Sequence, residues 1–237
     1  MNVRISDISP NSQDKLWAHF QNKCPETFEG ARPRINYIIR EIARKKKTSV
    51  PRVLNIGAGN GYMEDTAKQL GWDICSLDPD ERTIKRILEK DIKGHIGHIE
   101  KMPFDNSSFD FVVASEVLEH LDKKQFYMGI SEVVRVIDQC GWFIGTVPYR
   151  ENLVLNQVIC PRCGQVFHRW GHRRSFDLKT MRESLSISFS DVVVRRRAFV
   201  KFKGLGLGGK IKGLVRLILA GYGVAIAEPS IFFIAMK

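Results

Sequence analysis

Cysteine is scarce in this sequence and unsuited to pairing. There are five (Cys24, Cys75, Cys140, Cys160 and Cys163), and only the last two stand close together. An odd, scattered set excludes the disulfide framework of a small secreted domain and points to a reducing, cytoplasmic setting. The first ten residues are polar and lack the apolar core of a secretory signal. No run is apolar for the roughly 20 residues that a membrane-spanning helix needs. The nearest, residues 214–236, is interrupted by Arg216, Gly221, Gly223 and the Glu228-Pro229 pair. Repeats and low-complexity linkers are also missing. Acidic residues are in deficit, 26 against 37 Lys and Arg, giving a net charge of +11. That balance suits an anionic partner such as nucleic acid, phospholipid headgroups or a phosphorylated substrate, and equally an ordinary solvated basic surface. What is abundant is apolar residues, 43% of 237. This is enough for one sizeable α/β domain spanning residues 1–237.

Strand and helix signals alternate through the first half. Short apolar runs at 53–56, 74–77, 109–114 and 142–147, with a weaker one near 95–99, read as strands. Residues 63–70, 81–90 and 123–137 read as helices between them, and 35–47 as an earlier helix. Such alternation predicts βαβ units, a parallel sheet with helices on both faces, and a ligand crevice at the carboxyl ends of the strands. Beyond it, 177–185 reads as a helix capped by Asp177, 189–200 and 230–236 as strands, and 201–223 as a Gly-rich basic and apolar stretch.

The first strand runs into Gly57-Ala58-Gly59-Asn60-Gly61. Its glycines permit a tight turn and close approach of a ligand, and the next helix offers free N–H groups. Asp78 ends the second strand, where a carboxylate can accept both hydroxyls of a ribose. Dinucleotide enzymes use a similar device, but their G-x-G-x-x-G wants glycine where Tyr62 stands. The residues 53–61, Leu77-Asp78-Pro79-Asp80, the stretch from Glu100 to Asp110 and Ser115-Glu116-Val117-Leu118-Glu119-His120-Leu121 together resemble, in order, four motifs of class I S-adenosylmethionine-dependent methyltransferases of the type 11 kind. The resemblance implies a Rossmann-like, seven-stranded methyltransferase sheet with helices on both faces. It implies that Gly57, Gly59 and Gly61 line the methionine part of S-adenosylmethionine, with Asn55 and Ala58 also at the cofactor. Asp78 would hold the ribose, Pro79, Ile99 and Glu100 would flank the adenine, and Ser115 and Glu116 would sit near the methionine end. The family usually carries an acid where Asn55 and His98 stand, so both positions predict weakened or retuned cofactor binding.

Residues 149–174 read as an insertion over the substrate crevice. Cys160 and Cys163, followed by His168 and His172, form C-x2-C-x4-H-x3-H, which suits a structural zinc with two thiolate and two imidazole ligands. A redox or purely structural cysteine pair is the competing reading. Arg162, Arg169, Arg173 and Arg174 in the same segment suggest recognition of an acidic acceptor. No motif fixes a catalytic base; His120, His168 and His172 are the candidates. The segment 201–228 is expected to be a lid or a membrane-proximal helix carrying Lys201, Lys203, Lys210, Lys212 and Arg216 among apolar residues. It would allow peripheral contact with the inner membrane surface without a transmembrane span. The expected reaction is methyl transfer to oxygen or nitrogen of a small-molecule or glycan acceptor, including a phosphorylated or lipid-linked one. An RNA methyltransferase is a second reading, although no stripe of basic and aromatic residues and no N/D-P-P-Y/F motif accompanies it. A catalytically inactive cofactor-binding module is a third.

Overall fold

A computed structural model describes residues 10–200, 206–222, 224 and 229–237. The polar stretch 1–9 and Lys201, Lys203, Gly223 and Glu228 of the tail segment lie outside the described residues.

The five strands β1 (Arg52–Ile56), β2 (Asp73–Asp78), β3 (Lys93–Ile96), β4 (Phe109–Ser115) and β5 (Ile137–Pro148) pair in parallel. The last strand, β9 (Ser230–Met236), pairs antiparallel with both β5 and β8 (Asp191–Arg197). The order across the seven strands is β3-β2-β1-β4-β5-β9-β8. Connections reverse direction between β1 and β4, and an open α/β sheet opens its ligand crevice at such a point.

Alternation along each strand divides the core in two. Leu54, Ile56, Val112, Ala114 and Phe143 face Phe126, Ile130 and Val133 of α5 (Lys123–Val136) and Met181 and Leu185 of α6 (Leu178–Ser186). Val53, Phe111, Val113 and Ile144 face Ile38, Ile39 and Ile42 of α2 (Arg32–Lys45), Met63 and Ala67 of α3 (Tyr62–Gln69), and Ile87 of α4 (Glu81–Leu88). Asp122 and Asp177 start α5 and α6 through reciprocal capping boxes, each closing two otherwise free donors.

Three additions dress the sheet. Helix α1 (Pro10–Lys23) and a following 3-10 turn, Pro25–Ala31, lie over the carboxyl ends of the strands. Between β5 and α6 a hairpin of β6 (Gln157–Ile159) and β7 (Val166–His168) projects from a base pinned by the Tyr149–Phe176 bridge. Helix α7 (Leu207–Gly221) packs near β8, burying Gly213 and Ala220. It turns Leu207, Ile211, Leu214, Ile218 and Tyr222 outward. Among the described residues no helix is long and apolar enough to cross a membrane.

Candidate active site

The loops after β1, β2 and β4 and the inner side of α1 enclose a cavity of about 420 Å³. Its floor is the glycine turn. Gly57 and Gly59 hold φ of +83° and +55°; a Cβ on either would lie 3.0 Å from the side chain of Val117 or Phe28 respectively. Left-handed backbone and close approach together leave only glycine there. Asn55, Gly57, Ala58, Gly59, Asp78, Pro79, Ile99, Glu100, Ser115 and Glu116 all line the cavity. Gly61 does not; at φ +83° it forms the N-terminal cap of α3.

Asp78 is 2% exposed. Its Oδ2 accepts from the backbone N–H of Ala58 (3.0 Å) and from Nε2 of Gln21 (2.8 Å), and its Oδ1 accepts from the N–H of Asp80 (3.0 Å). Burial pushes its pKa up to about 6, against those three bonds. A carboxylate has about four acceptor positions, so a fourth stays available and Gln21 can yield a further one.

Both positions that lack the family's acid have an acid beside them. Asn55 Nδ2 donates to Glu64 Oε1 at 2.7 Å, and Ser76 Oγ donates to the same oxygen at 2.6 Å. Glu64 is fully buried, so desolvation raises its pKa despite the two bonds. His98 Nε2 lies 3.7 Å from Asp14 of α1. An acid thus stands beside each position, Glu64 of α3 at Asn55 and Asp14 of α1 at His98.

Helix α1 was not legible in the sequence, yet it roofs the cavity. Its Gln21 reaches Asp78 and accepts from Thr83 Oγ1 at 3.2 Å, while Asn22 Nδ2 donates to Asp80 at 2.7 Å. At its other end Gln13 Nε2 donates to the carbonyls of His120 (3.0 Å) and Gly171 (3.2 Å). Trp17 meets the His120 ring edge-on at 4.9 Å, and Phe20 lies 5.2 Å from Trp170. Arg34, at the start of α2, donates from Nε to Ser115 Oγ at 2.9 Å.

A histidine and carboxylate cluster forms another part of the wall. Glu119 and His120 sit in a buried 3-10 turn, Leu118–His120. The Glu119 carbonyl accepts the N–H groups of Arg173 (2.8 Å) and Arg174 (3.1 Å), tying this turn to the insertion. Neither carboxylate oxygen of Glu119 meets a hydrogen-bonding side chain. Burial, then Glu116, push its pKa well up. Burial, then His172, push His120 well down; its ring nitrogens make no hydrogen bond of good geometry, although backbone of Gly171 and Glu116 lies close enough to oppose the shift. His172 meets His120 at 4.7 Å and stacks on His168 at 4.6 Å. Its Nδ1 contacts the carboxylate of Glu151. Of the candidate bases, His120 and His172 line the cavity and His168 does not.

The four residues expected as one zinc set fall into two groups. The β6–β7 register pairs His168 with Gln157 at the base of the hairpin, while Cys160 bonds Gln165 at its tip. Three residues of extended chain separate these levels, roughly 10 Å at about 3.4 Å per residue. Among the described residues, the clusters able to hold an ion contain His168 or His172 with carboxylates and neither cysteine. At the tip, backbone N–H groups of Cys163 and Arg162 turn towards the Cys160 thiol and lower its pKa. His168 and His172 do meet, through the turn at Gly171 (φ +72°) rather than along a helix. The arginines are also engaged: Arg173 lies 3.6 Å from Asp122, Arg174 lies over Phe126 at 4.2 Å, and Arg169 over Trp170 at 4.9 Å.

A reversed-order parallel sheet with an antiparallel last strand, a glycine turn after β1 and a carboxylate ending β2 define a class I methyltransferase fold. Residues 54–145 match the family model described as "Methyltransferase domain". Over this segment, less than half of its length, the chain is similar to S-adenosylmethionine-dependent methyltransferases. It is 34% identical over 101 residues to a probable S-adenosylmethionine-dependent methyltransferase of Mycolicibacterium smegmatis, covering 41% of this chain and 38% of that protein. It is 27% identical over 165 residues to the mitochondrial ubiquinone biosynthesis O-methyltransferase of Bos taurus, covering 62% of this chain and 44% of that protein. The chain therefore spans less than half the length of these two relatives. The Burkholderia thailandensis 1,6-didemethyltoxoflavin-N1-methyltransferase, solved with bound 1,6-didemethyltoxoflavin and S-adenosylhomocysteine, superposes with a TM-score of 0.65 at 13% identity, over 99% of this chain and 93% of that one.

Proposed function

We propose that this chain transfers a methyl group from S-adenosylmethionine to an oxygen or nitrogen of a small, largely apolar acceptor. The observation that carries this reading is a single roofed cavity. At one end it has a glycine turn with the buried Asp78, and at the other the wall of Trp17, His120, Trp170 and His172. The residues fit the cofactor. Gly57 and Gly59 line the cavity with bare backbone that a ligand can approach, and Asp78 offers acceptors for ribose hydroxyls. Glu116 and Asp14 line the cavity and provide negative groups for a cationic ligand. When bound, the cofactor supplies a methyl group on a positively charged sulfur.

The chain's own contribution is alignment and exclusion of water. Helix α1 covers part of the cavity, and Trp17 and Trp170 would flank an acceptor aligned with the methyl. The acceptor's proton must leave, and the groups facing it are His120 and His172. A cavity of about 420 Å³ lined by Trp17 and Trp170 favours a small acceptor over RNA. So do arginines engaged with Asp122, Phe126 and Trp170. The relatives named for ubiquinone biosynthesis and for 1,6-didemethyltoxoflavin support a small ring-bearing acceptor in the same way.

The test is calorimetry with S-adenosylmethionine and S-adenosylhomocysteine, followed by a screen of phenols, catechols and heteroaromatics for S-adenosylhomocysteine release. Saturable binding abolished by Asp78→Ala is expected; no affinity for either ligand would refute the reading.

Placement at an anionic membrane surface is a separate part of this proposal. It is supported by the outward apolar stripe of α7, flanked by Lys210 and Lys212, the pattern of an interfacial helix. Flotation with anionic vesicles tests it, and a Leu214→Glu, Ile218→Glu variant should remain unbound.

A further inference from the structure

We infer that Glu119, His120 and His172 form a binding site for a divalent first-row metal ion on the acceptor wall of the cavity. One ligand atom from each of the three lies within 4.8 Å of the others. Two of the three side chains are buried without the partners that burial demands. Both carboxylate oxygens of Glu119 and both ring nitrogens of His120 lack a hydrogen bond of good geometry. A buried carboxylate beside two imidazoles is costly with nothing between them, and a cation satisfies all three at once.

The hydrogen bonds around the cluster select which nitrogen binds. His172 Nδ1 contacts the Glu151 carboxylate, so Nδ1 carries the proton and Nε2 keeps its lone pair. That is the carboxylate–histidine–metal arrangement in which an outer acid fixes the tautomer of a ligating imidazole. His168 is excluded by the same logic. Its Nδ1 accepts the N–H of His172 at 3.1 Å and of Trp170 at 3.3 Å. Its proton therefore sits on Nε2, which points at Glu151 Oε1 from 3.4 Å. So the alternative grouping of Glu151, His168 and His172 is an outer shell that orients His172, and the ligands are the other three.

Two imidazoles and one carboxylate leave coordination positions open. His120 and His172 line the cavity, so an ion held by them would be within reach of an acceptor bound there. The ligand class that fits there is a hydroxyl or a pair of adjacent hydroxyls, whose oxygen a cation would polarise and orient. This deepens the methyl-transfer reading and rests on it for the role of the ion. It gives the two histidines to the metal instead of to direct proton removal. The binding of the ion itself is independent of that reading.

The experiment is cobalt(II) titration of chelator-treated full-length protein, read by visible absorption. Expected is one ion per chain with a nitrogen and oxygen ligand spectrum, lacking the intense thiolate-to-cobalt charge-transfer band. The double variant Cys160→Ser, Cys163→Ser should leave the spectrum unchanged. Glu119→Gln and His172→Ala should abolish binding, each checked for fold by circular dichroism and by calorimetry with S-adenosylhomocysteine. Glu151→Gln, less invasive, should weaken cobalt affinity by about 10- to 100-fold without changing stoichiometry. His168→Gln should retain the ion. Absence of stoichiometric binding would overturn the site. So would a thiolate band, or retention in Glu119→Gln together with loss in His168→Gln. Cofactor affinity without cobalt binding would sink this inference and leave methyl transfer standing; cobalt binding without cofactor affinity would do the reverse.

Discussion

The two ends of the cavity are built in different ways. At the cofactor end the groups come from strand termini and the turn that follows each, so every element lies within a few residues of the strand that positions it. Gly57, Asp78 and Ser115 end or follow β1, β2 and β4. At the acceptor end the groups converge from three remote segments: Gln13 and Trp17 of α1, Glu119 and His120 after β4, and Glu151 to His172 of the insertion. Hydrogen bonds across more than a hundred residues, such as Gln13 to the His120 carbonyl, hold it. The first end is specified by backbone geometry, and the second by side chains meeting across the fold. The first should therefore fail abruptly at single positions, and the second gradually.

The sharpest break is expected at Asp78. Asp78→Ala removes the ribose acceptor and leaves the N–H groups of Ala58 and Asp80 without their partner. Hydrogen bonds to a charged group are worth about 1.5–3 kcal/mol each. Two lost to the ribose lower cofactor affinity by roughly 100-fold or more, measured by calorimetry. A loss below about fivefold would mean that this end is not organised around the carboxylate.

The wild-type protein gives the next largest effect, through pH. Burial raises Asp78 to about 6, above its unfolded value. The acid therefore binds protons more readily in the fold, and the stability tied to its protonated form is lost as pH rises through about 6. Hydroxyl donors prefer the carboxylate, so cofactor binding releases a proton. Affinity should fall on acidification below about pH 6, by up to about tenfold per unit. A flat profile between pH 5 and 7 would contradict the assignment.

These two predictions rest on features legible in the sequence: a strand-end acid and a glycine turn read directly from spacing. The alternation of strands and helices was legible as well, because most of the parallel strands are short apolar runs bounded by a helix, whereas the seven-stranded sheet came only from the family resemblance and its order from the structure. The roof was not. What α1 buries is Gln13 and Gln21, and no apolar period announces a helix whose buried contacts are amides. Glu64 was passed over for a related reason. An acid in the first turn of a helix looks solvated until the fold turns it onto Asn55. The cysteines and histidines were read as one set because they are close in sequence, yet a three-residue ladder holds them at opposite ends of a hairpin.

Asn55→Asp tests the pairing of Asn55 with Glu64. Restoring the family's acid would be expected from sequence to tighten cofactor binding. With Glu64 Oε1 2.7 Å from the amide it replaces, the variant instead sets two carboxyl groups in one dry pocket, where only one can ionise. The raised acid is neutral at low pH, so the loss is small there and grows as pH rises. A destabilisation of about 1–3 kcal/mol near neutral pH is expected. It is read as a melting temperature that falls with pH more steeply than in the wild type. An unchanged melting temperature with tighter cofactor binding would restore the simpler reading of that position.

The smallest effect is expected where the two ends meet. Gln21 belongs to the roof, yet its Nε2 donates to Asp78 Oδ2 at 2.8 Å and helps hold the carboxylate's pKa down. Gln21→Ala removes that donation, so Asp78 should titrate higher and the pH midpoint for cofactor binding should rise by a fraction of a unit. At neutral pH two consequences oppose each other. A stabilising bond to the carboxylate is lost, and an acceptor position for the ribose is freed. The net change in affinity should stay within about threefold, because one neutral donor to a charged acceptor is being exchanged for another. A midpoint that does not move would show that the roof merely covers the cofactor end. A rise in midpoint with affinity nearly constant would show that α1, pinned to His120 at one end and Asp78 at the other, carries protonation changes from one end of the cavity to the other.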